Sequence, residues 1–503
     1  MKFISTRGYS EKFDSAQVIK MGIAPDGGLF VPESIPVITQ DDINEMMLMT
    51  YPQLAAKVIS MYLTDYTKQE LQEYCDLAYS EEKFGEDPLP LVLLNKYNPR
   101  EYILELWHGP TCAFKDVALQ LLPYLMTAAV RKTGENRKVV RLTATSGDTG
   151  KAALEGFKDV PGTEVIVFYP VDGVSDAQRL QMVTTEGDNV HVVAVDGCFD
   201  DAQTGVKSIF SDEDLNQELH NQGVMLSSAN SINWGRLVPQ IAYYVYSYVS
   251  LLKNEAIEPG EKVNFVVPTG NFGNILAAWF AKEMGIPVHK LICASNKNKV
   301  LSDFFRSGTY DRNRPFYKTN SPSMDILISS NLERLLFKVS GGQAERLLDW
   351  MKELTETGKY AVDNQTLRIL QSAFVGGFAD EIGINKTIRD VYDRCDHVVD
   401  THTAVGFNVY SRYYQRSGDE TKTIFVSTAS PYKFTASVSD ALFGAGYSKG
   451  RSHDVLMREL SEESGMPIPE SISNLSAKAL LHNKTVAKDQ MKSAVMSIIA
   501  GDS

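Results

Sequence analysis

Val263-Asn264-Phe265-Val266-Val267-Pro268-Thr269-Gly270-Asn271-Phe272-Gly273-Asn274 is the stretch whose reading decides the fold. Its first half is a short, β-branched, apolar run without strict alternation, as expected of a strand covered on both faces. Its second half is rich in Gly and Asn, which punctuate a chain reversal, and residues 275–284 then read as a helix. Strand, tight turn and helix in that order form the repeating unit of a parallel sheet with helices packed against it.

The same pattern recurs outward from this stretch. Runs 139–142, 165–169, 190–195 and 291–294 are also short and apolar, and helical stretches separate most of them. Parallel sheets of this kind bind ligands at the carboxyl ends of their strands, so the loops that follow strands hold the candidate site. Residues 1–95 read differently. A turn-rich start with Ala24-Pro25-Asp26-Gly27-Gly28 and Pro32 leads into helical periodicity over 41–79, and 80–90 is a charged, proline-containing connector. The expected organisation is an α/β protein with a largely helical N-terminal domain (1–95), a two-lobed catalytic region with mostly parallel sheets (96–440), and a helical C-terminal extension (441–503).

A chain of 503 residues has room for about three domains, or for one large two-lobed unit with an attachment. Fifty basic against 63 acidic side chains give a formal charge of −13, which argues against a nucleic-acid or anionic-membrane partner while leaving room for a local anion pocket. The five cysteines (75, 112, 198, 293, 395) are scattered and include no C-x-x-C pair, as expected of reduced thiols in a cytoplasmic protein. The amino terminus has no secretory signal, and the most apolar stretch, 237–252, is too short to span a bilayer.

Lys115 is the candidate for the chemistry. It follows Trp107-His108-Gly109-Pro110-Thr111-Cys112-Ala113-Phe114, between the strand-like run 102–106 and an amphipathic helix that includes Val117, Leu119, Leu121, Leu122, Leu125 and Val130. A cation in a first helical turn is disfavoured by the unpaired N–H groups, and burial beside Trp107 and Phe114 would depress the amine pKa further. The ordinary alternative is a solvated surface lysine. Two loops compete for an anion. Thr145-Ser146-Gly147-Asp148-Thr149-Gly150 offers hydroxyls and N–H groups at a helix start, although Asp148 or Thr149 could simply cap that helix. It is not a phosphate-binding P-loop, because Thr145 stands where the first glycine belongs and Ala152 where Ser or Thr belongs. The turn 270–274 could converge its N–H groups on a phosphate or be an ordinary turn; Phe272 excludes a dinucleotide fingerprint. A third run, 423–431, ends in hydroxyl residues around Thr428. His397, Asp400 and His402 do not have metal-ligand spacing, so no metal is expected. No G-x-S-x-G elbow supports a serine hydrolase.

Taken together, these segments resemble the threonine synthases, pyridoxal 5'-phosphate enzymes of the tryptophan-synthase-β fold (fold type II). The likeness rests on residues 24–32, on 108–116 as the Schiff-base lysine segment, on 145–150 and 270–274 as substrate and cofactor-phosphate loops, and on 231–236 and 323–326. It runs to about residue 434; Ser430-Pro431-Tyr432 departs from the family's His-Pro-Ala. The resemblance implies conversion of O-phospho-L-homoserine and water to L-threonine and phosphate. It implies that Lys115 holds the cofactor and moves protons, that Gly270, Asn271, Phe272, Gly273 and Asn274 anchor the cofactor phosphate, and that Thr428 meets the pyridine nitrogen. Ser146, Gly147, Asp148 and Thr149 would receive the substrate's amino-acid end, and Arg236 its phosphate. Two other outcomes share the scaffold: a phospho-lyase giving 2-oxobutyrate, and a non-catalytic interaction protein. The expected assembly is a monomer or small homo-oligomer.

Overall fold

The apolar runs assemble into two main sheets. The molecule is described by a computed structural model, which covers residues 1–94, 99–145, 147–171, 173–228 and 230–501. The larger sheet orders its six strands Phe374–Phe378, Val288–Ser295, Val263–Pro268, Thr423–Ser427, Glu101–Glu105, Leu91–Leu93. All are parallel except the last, which pairs antiparallel with Glu101–Glu105. The smaller sheet is wholly parallel, in the order Lys484–Ala487, Val190–Asp196, Thr163–Pro170, Lys138–Ala144, Val224–Ser228. The absence of alternation in the sequence has a direct cause. Every residue of Thr163–Pro170 and of Val263–Pro268 is buried, because helices cover both faces.

The helix Trp234–Lys253 runs through the core, with Trp234 edge-on to Phe3, Tyr62 and Phe280. It packs on the helices Gly273–Glu283 and Tyr51–Ser60, and so joins the amino-terminal region to the sheet that carries the Gly/Asn turn. The periodicity over 41–79 resolves into three helices, Gln40–Met46, Tyr51–Ser60 and Lys68–Ala78. Each begins at a threonine whose backbone N–H is received by the side chain three residues on: Thr39 by Asp42, Thr50 by Gln53 and Thr67 by Glu70.

Four strands of the two main sheets lie where the sequence reading has none, the short edge strand Leu91–Leu93 among them. Phe374–Phe378 contains Gly376-Gly377, which breaks the apolar signal, and Val224–Ser228 is short and half polar. Lys484–Ala487 lies within the segment read as helical, and it pairs in parallel with Val190–Asp196 at the edge of the smaller sheet.

Strand order tells where ligands belong. In the smaller sheet the chain runs outward from Lys138–Ala144 through two strands, then returns to place Val224–Ser228 on that strand's other side. In the larger sheet Val263–Pro268 is flanked by Val288–Ser295 on one side and Thr423–Ser427 on the other. These are the points where direction reverses, and each is followed by one of the loops singled out above.

Candidate active site

Lys115 opens the short helix Lys115–Leu119. The loop before it is tied to the loop after Thr423–Ser427: the Phe114 N–H donates to the Thr428 carbonyl (2.9 Å), and the Ser430 N–H to the Cys112 carbonyl (3.0 Å). Cys112 takes a left-handed conformation at φ 58° to make this possible. Lys115 and Thr428 are thereby held side by side, and both line a cavity of 230 Å³. The cavity wall also includes Thr145, Thr149, Arg236, 268–274, Ser323 and His402. The Phe114 ring lies 4.9 Å from the Lys115 ammonium. Trp107 plays a different part from the one expected of it: its indole N–H donates to Ser427 Oγ (3.0 Å), and it lines a separate cavity of 1280 Å³ with His108 and Pro110. Burial lowers the Lys115 pKa below the ordinary lysine value. Asp148, with Oδ2 at 3.5 Å, pulls it back up, while Arg236 and Lys433 reinforce the fall. Burial, the Asp148 carboxylate and the neighbouring cations together set this amine's state.

The loop after Lys138–Ala144 is drawn tight by Thr145, whose Oγ1 accepts from the N–H groups of Gly147 and Gly150, both at 2.9 Å. Gly147 sits at φ 128°, and a Cβ there would lie 2.4 Å from the Gln178 carboxamide, so the position demands glycine. Asp148 begins the helix Asp148–Phe157. Its Oδ1 receives Lys433 Nζ (2.8 Å) and Gln178 Nε2 (2.8 Å), and its Oδ2 receives Ser323 Oγ (3.2 Å). Burial would raise its pKa, but Lys433 and Lys115 outweigh that and hold it well below the usual carboxylate range. Ser146 lies outside the described residues.

The turn after Val263–Pro268 is an anion cradle in form. Phe272 adopts a left-handed conformation (φ 66°), and the helix Gly273–Glu283 starts directly after it. A first helical turn leaves N–H groups with no acceptor inside the helix. Asn274 adds a side-chain donor: Tyr243 and Tyr244 both donate to its Oδ1, which leaves the buried Nδ2 with no hydrogen-bond partner. A second segment clasps the turn from outside. Ser329 Oγ donates to the Gly270 carbonyl (2.9 Å), the Asn331 N–H to the Asn271 carbonyl (3.1 Å), and a Cβ on Gly270 would lie 2.6 Å from the Ser323 carbonyl oxygen. Arg236 stands in the first turn of Trp234–Lys253, 3% exposed, with its pKa pushed down to about 10 by burial.

Two groups in the site were not assigned to it from the sequence. Lys433, from the turn Pro431–Phe434, is fully buried against Asp148. Asp400 and His402, rejected above as metal ligands, do come together, but as a pair: Asp400 Oδ2 lies 2.8 Å from His402 Nδ1, and His402 Nε2 accepts from the Ser323 N–H (3.2 Å). His397 turns instead to Glu105, at 3.4 Å. The only trace of the Asp400–His402 pair in the sequence is an Asp two residues before a His, at a helix start, where Asp400 caps Thr401–Ser417.

Three family models match the chain: one described as threonine synthase N terminus over residues 2–79, one as pyridoxal-phosphate dependent enzyme over 83–388, and one as threonine synthase, C-terminal, over 403–485. The chain is 37% identical over 485 residues to the threonine synthase of Saccharomyces cerevisiae, covering 91% of this chain and 92% of that one. Among solved structures it is similar to a threonine synthase from yeast, with TM-score 0.87, 33% identity and 99% of each chain covered. It is also similar to a PLP-bound threonine synthase from Brucella melitensis, with TM-score 0.85, 32% identity and 98% of each chain covered.

Proposed function

The chain belongs to the threonine synthase family of pyridoxal-phosphate-dependent enzymes, and from that premise we propose that it converts O-phospho-L-homoserine and water to L-threonine and phosphate. One observation carries this reading: an amine held below its ordinary pKa, an anion cradle and the Thr428 side chain all line the same cavity.

The residues fit the cofactor. Its phosphate needs several fixed N–H donors, and the turn 270–274 supplies them together with the otherwise unpartnered Asn274 Nδ2. Lys115 would hold the cofactor through its amine, and the Thr428 hydroxyl would face the ring nitrogen without the charge a carboxylate would bring. When bound, the cofactor supplies an electron sink for negative charge developing next to the substrate's amino-bearing carbon.

The remaining work falls to the chain's own groups. The free Lys115 amine removes the proton at Cα, takes a second from Cβ as phosphate leaves Cγ, and then returns a proton to Cγ. Gly147 and Thr149 direct N–H and hydroxyl groups at the substrate carboxylate. Arg236 receives the substrate phosphate, where its planar fork suits paired oxygens. Water adds at Cβ, and Lys115 returns the proton to Cα.

The working division remains 1–95, 96–440 and 441–503, with the protein acting in the cytoplasm as a monomer or small homo-oligomer. The scattered cysteines, with no C-x-x-C pair, support that location. Among the described residues, no helix is long and apolar enough to cross a membrane. The test is incubation of the cofactor-loaded protein with O-phospho-L-homoserine and resolution of the products. Threonine with equimolar phosphate is expected; 2-oxobutyrate as the main product overturns the reading in favour of the phospho-lyase.

A further inference from the structure

A second buried lysine has no task in the proposed reaction. Lys433 is 1% exposed, in the turn Pro431–Phe434 that follows the Thr428 loop. Its ammonium donates to the Thr111 carbonyl at 2.7 Å and lies 2.8 Å from Asp148 Oδ1. Asp148 is itself saturated. Lys433 and Gln178 reach one oxygen, while Ser323 and, at 3.5 Å, Lys115 reach the other. A carboxylate so placed poses a problem for the chemistry. Alone beside Lys115 it would hold that amine as an ammonium ion, which cannot act as a base. Alone in the substrate loop it would repel a substrate that carries both a carboxylate and a phosphate.

We propose that Lys433 is a positioning residue that neutralises Asp148, so that this carboxylate orders the site without protonating Lys115 or repelling an anionic substrate. The charges sum accordingly. With Lys115 neutral, the Asp148–Lys433 pair contributes nothing net, whereas removal of Lys433 leaves a buried anion, hydrogen-bonded by Gln178 and Ser323, whose charge falls on Lys115 at 3.5 Å. The charged groups bearing on Lys115 are Asp148, Arg236 and Lys433, and Lys207 and His402 line the same cavity. Lys433 in turn bears on Asp116 and Cys112, which lie behind the lysine loop, away from that cavity's wall. Lys433 forms its ion pair with Asp148 through Oδ1, which leaves Oδ2 to face Lys115. A purely structural role, tethering the Thr111 carbonyl, would depend on hydrogen bonding and not on charge balance, and the two separate experimentally.

The inference rests on Lys115 being the cofactor-bearing residue. The test uses the full chain as wild type, Lys433→Met, Asp148→Asn and the double variant. Two readouts are taken: the pH profile of kcat/KM of the loaded enzyme, and the pH profile of the rate at which the stripped protein captures pyridoxal phosphate, which requires a free amine. Lys433→Met is expected to move the capture midpoint upward by about one pH unit or more, the size expected when one neighbouring charge is lost. KM should rise, because the uncompensated carboxylate repels substrate. Asp148→Asn in the Lys433→Met background should return both readouts toward wild type, which a lost tether would not allow. A folded Lys433→Met protein with an unmoved midpoint overturns the proposal. Should that variant fail to fold, Asp148→Asn is compared with the double variant. Lys433 still favours the neutral amine there, so a higher midpoint in the double supports the proposal and equal midpoints overturn it. Borohydride reduction of the wild type with peptide mapping distinguishes the two levels. A label elsewhere than Lys115 defeats the functional reading and this inference together, while a label on Lys115 with unmoved midpoints defeats this inference alone.

Discussion

Asn274 shows how a neutral side chain is aimed by its neighbours. Two tyrosine hydroxyls occupy its carbonyl oxygen, so the NH₂ group, buried and unpartnered, is left for a ligand. A hydrogen bond to a charged group contributes about 1.5–3 kcal/mol. Asn274→Ala should therefore weaken pyridoxal phosphate binding roughly 10- to 100-fold in a titration of the stripped protein. An unchanged affinity would mean that the phosphate lies elsewhere. Asp116 offers a second test, through pH. Burial pushes its pKa up to about 6, against the Thr111 N–H and hydroxyl that donate to it at 2.7 and 2.6 Å. A carboxyl whose folded pKa is raised holds its proton more tightly in the folded state. Its contribution is fully present below the unfolded value of about 3.9 and is lost as pH rises through about 6. Relative to Asp116→Asn, the wild type should thus lose stability between about pH 4 and pH 7, by up to about 3 kcal/mol. Denaturant unfolding of both proteins at each pH measures this, and a constant difference would refute the shifted pKa.

At the scale of elements, the site depends on one backbone pressed against another. Gly270 leaves room for the segment around Ser323, and that segment reaches back to clasp the turn through Ser329 and Asn331. Gly270→Ala would place a Cβ 2.6 Å from a carbonyl oxygen that has no flexible side chain to move aside. We expect a stability loss of about 1–3 kcal/mol with a disproportionate loss of cofactor affinity. Equal thermal and binding effects would show that the clasp is not specific to the ligand. The same elements show what the sequence made legible. Strands buried on both faces announce themselves as apolar runs, and the turns after 144 and 268 stand out through glycines, one of which is held at positive φ. Lys115 stands out because an aromatic-flanked lysine follows Gly109-Pro110 at a strand-to-helix junction. Lys433 and the Asp400–His402 pair do not stand out. Their meaning comes from partners at 148 and 323, brought near only by the tertiary fold, and no local pattern encodes that meeting. The glycines of Phe374–Phe378 hid a strand for the opposite reason: they belong to tight approaches, Gly376 on the backbone of Ser302 and Gly377 on the Val409 side chain, and not to a turn.

At the scale of the whole molecule, the carboxyl-terminal segment reads from the sequence as a helical appendage, whereas the fold makes its final stretch, from Lys484 on, part of the smaller sheet. Lys484–Ala487 adds the edge strand, and Val486, Met491, Ala494, Val495 and Ile498 are buried in that sheet's outer core. Met491 packs on the helix Phe199–Ser211 so closely that a Cβ on Gly205 would lie 2.3 Å from its sulfur. That helix also supplies Gln203 and Lys207 to the wall of the active-site cavity. The last helix therefore supports the wall from behind, which links a distant terminus to the site. Burial of five such side chains is worth on the order of 8 kcal/mol, a large share of the roughly 5–15 kcal/mol that holds a typical protein folded. Removal of residues 481–503 should accordingly loosen the smaller sheet more than the larger one. Limited proteolysis should then cut first within 199–228, and cofactor capture by Lys115 should survive longer than turnover, because the cofactor cradle belongs to the other sheet. Val495→Asp, which buries a charge without shortening the chain, should act in the same direction. If both variants resist protease and turn over like the wild type, the carboxyl-terminal helix is an ornament and the cavity wall stands without it.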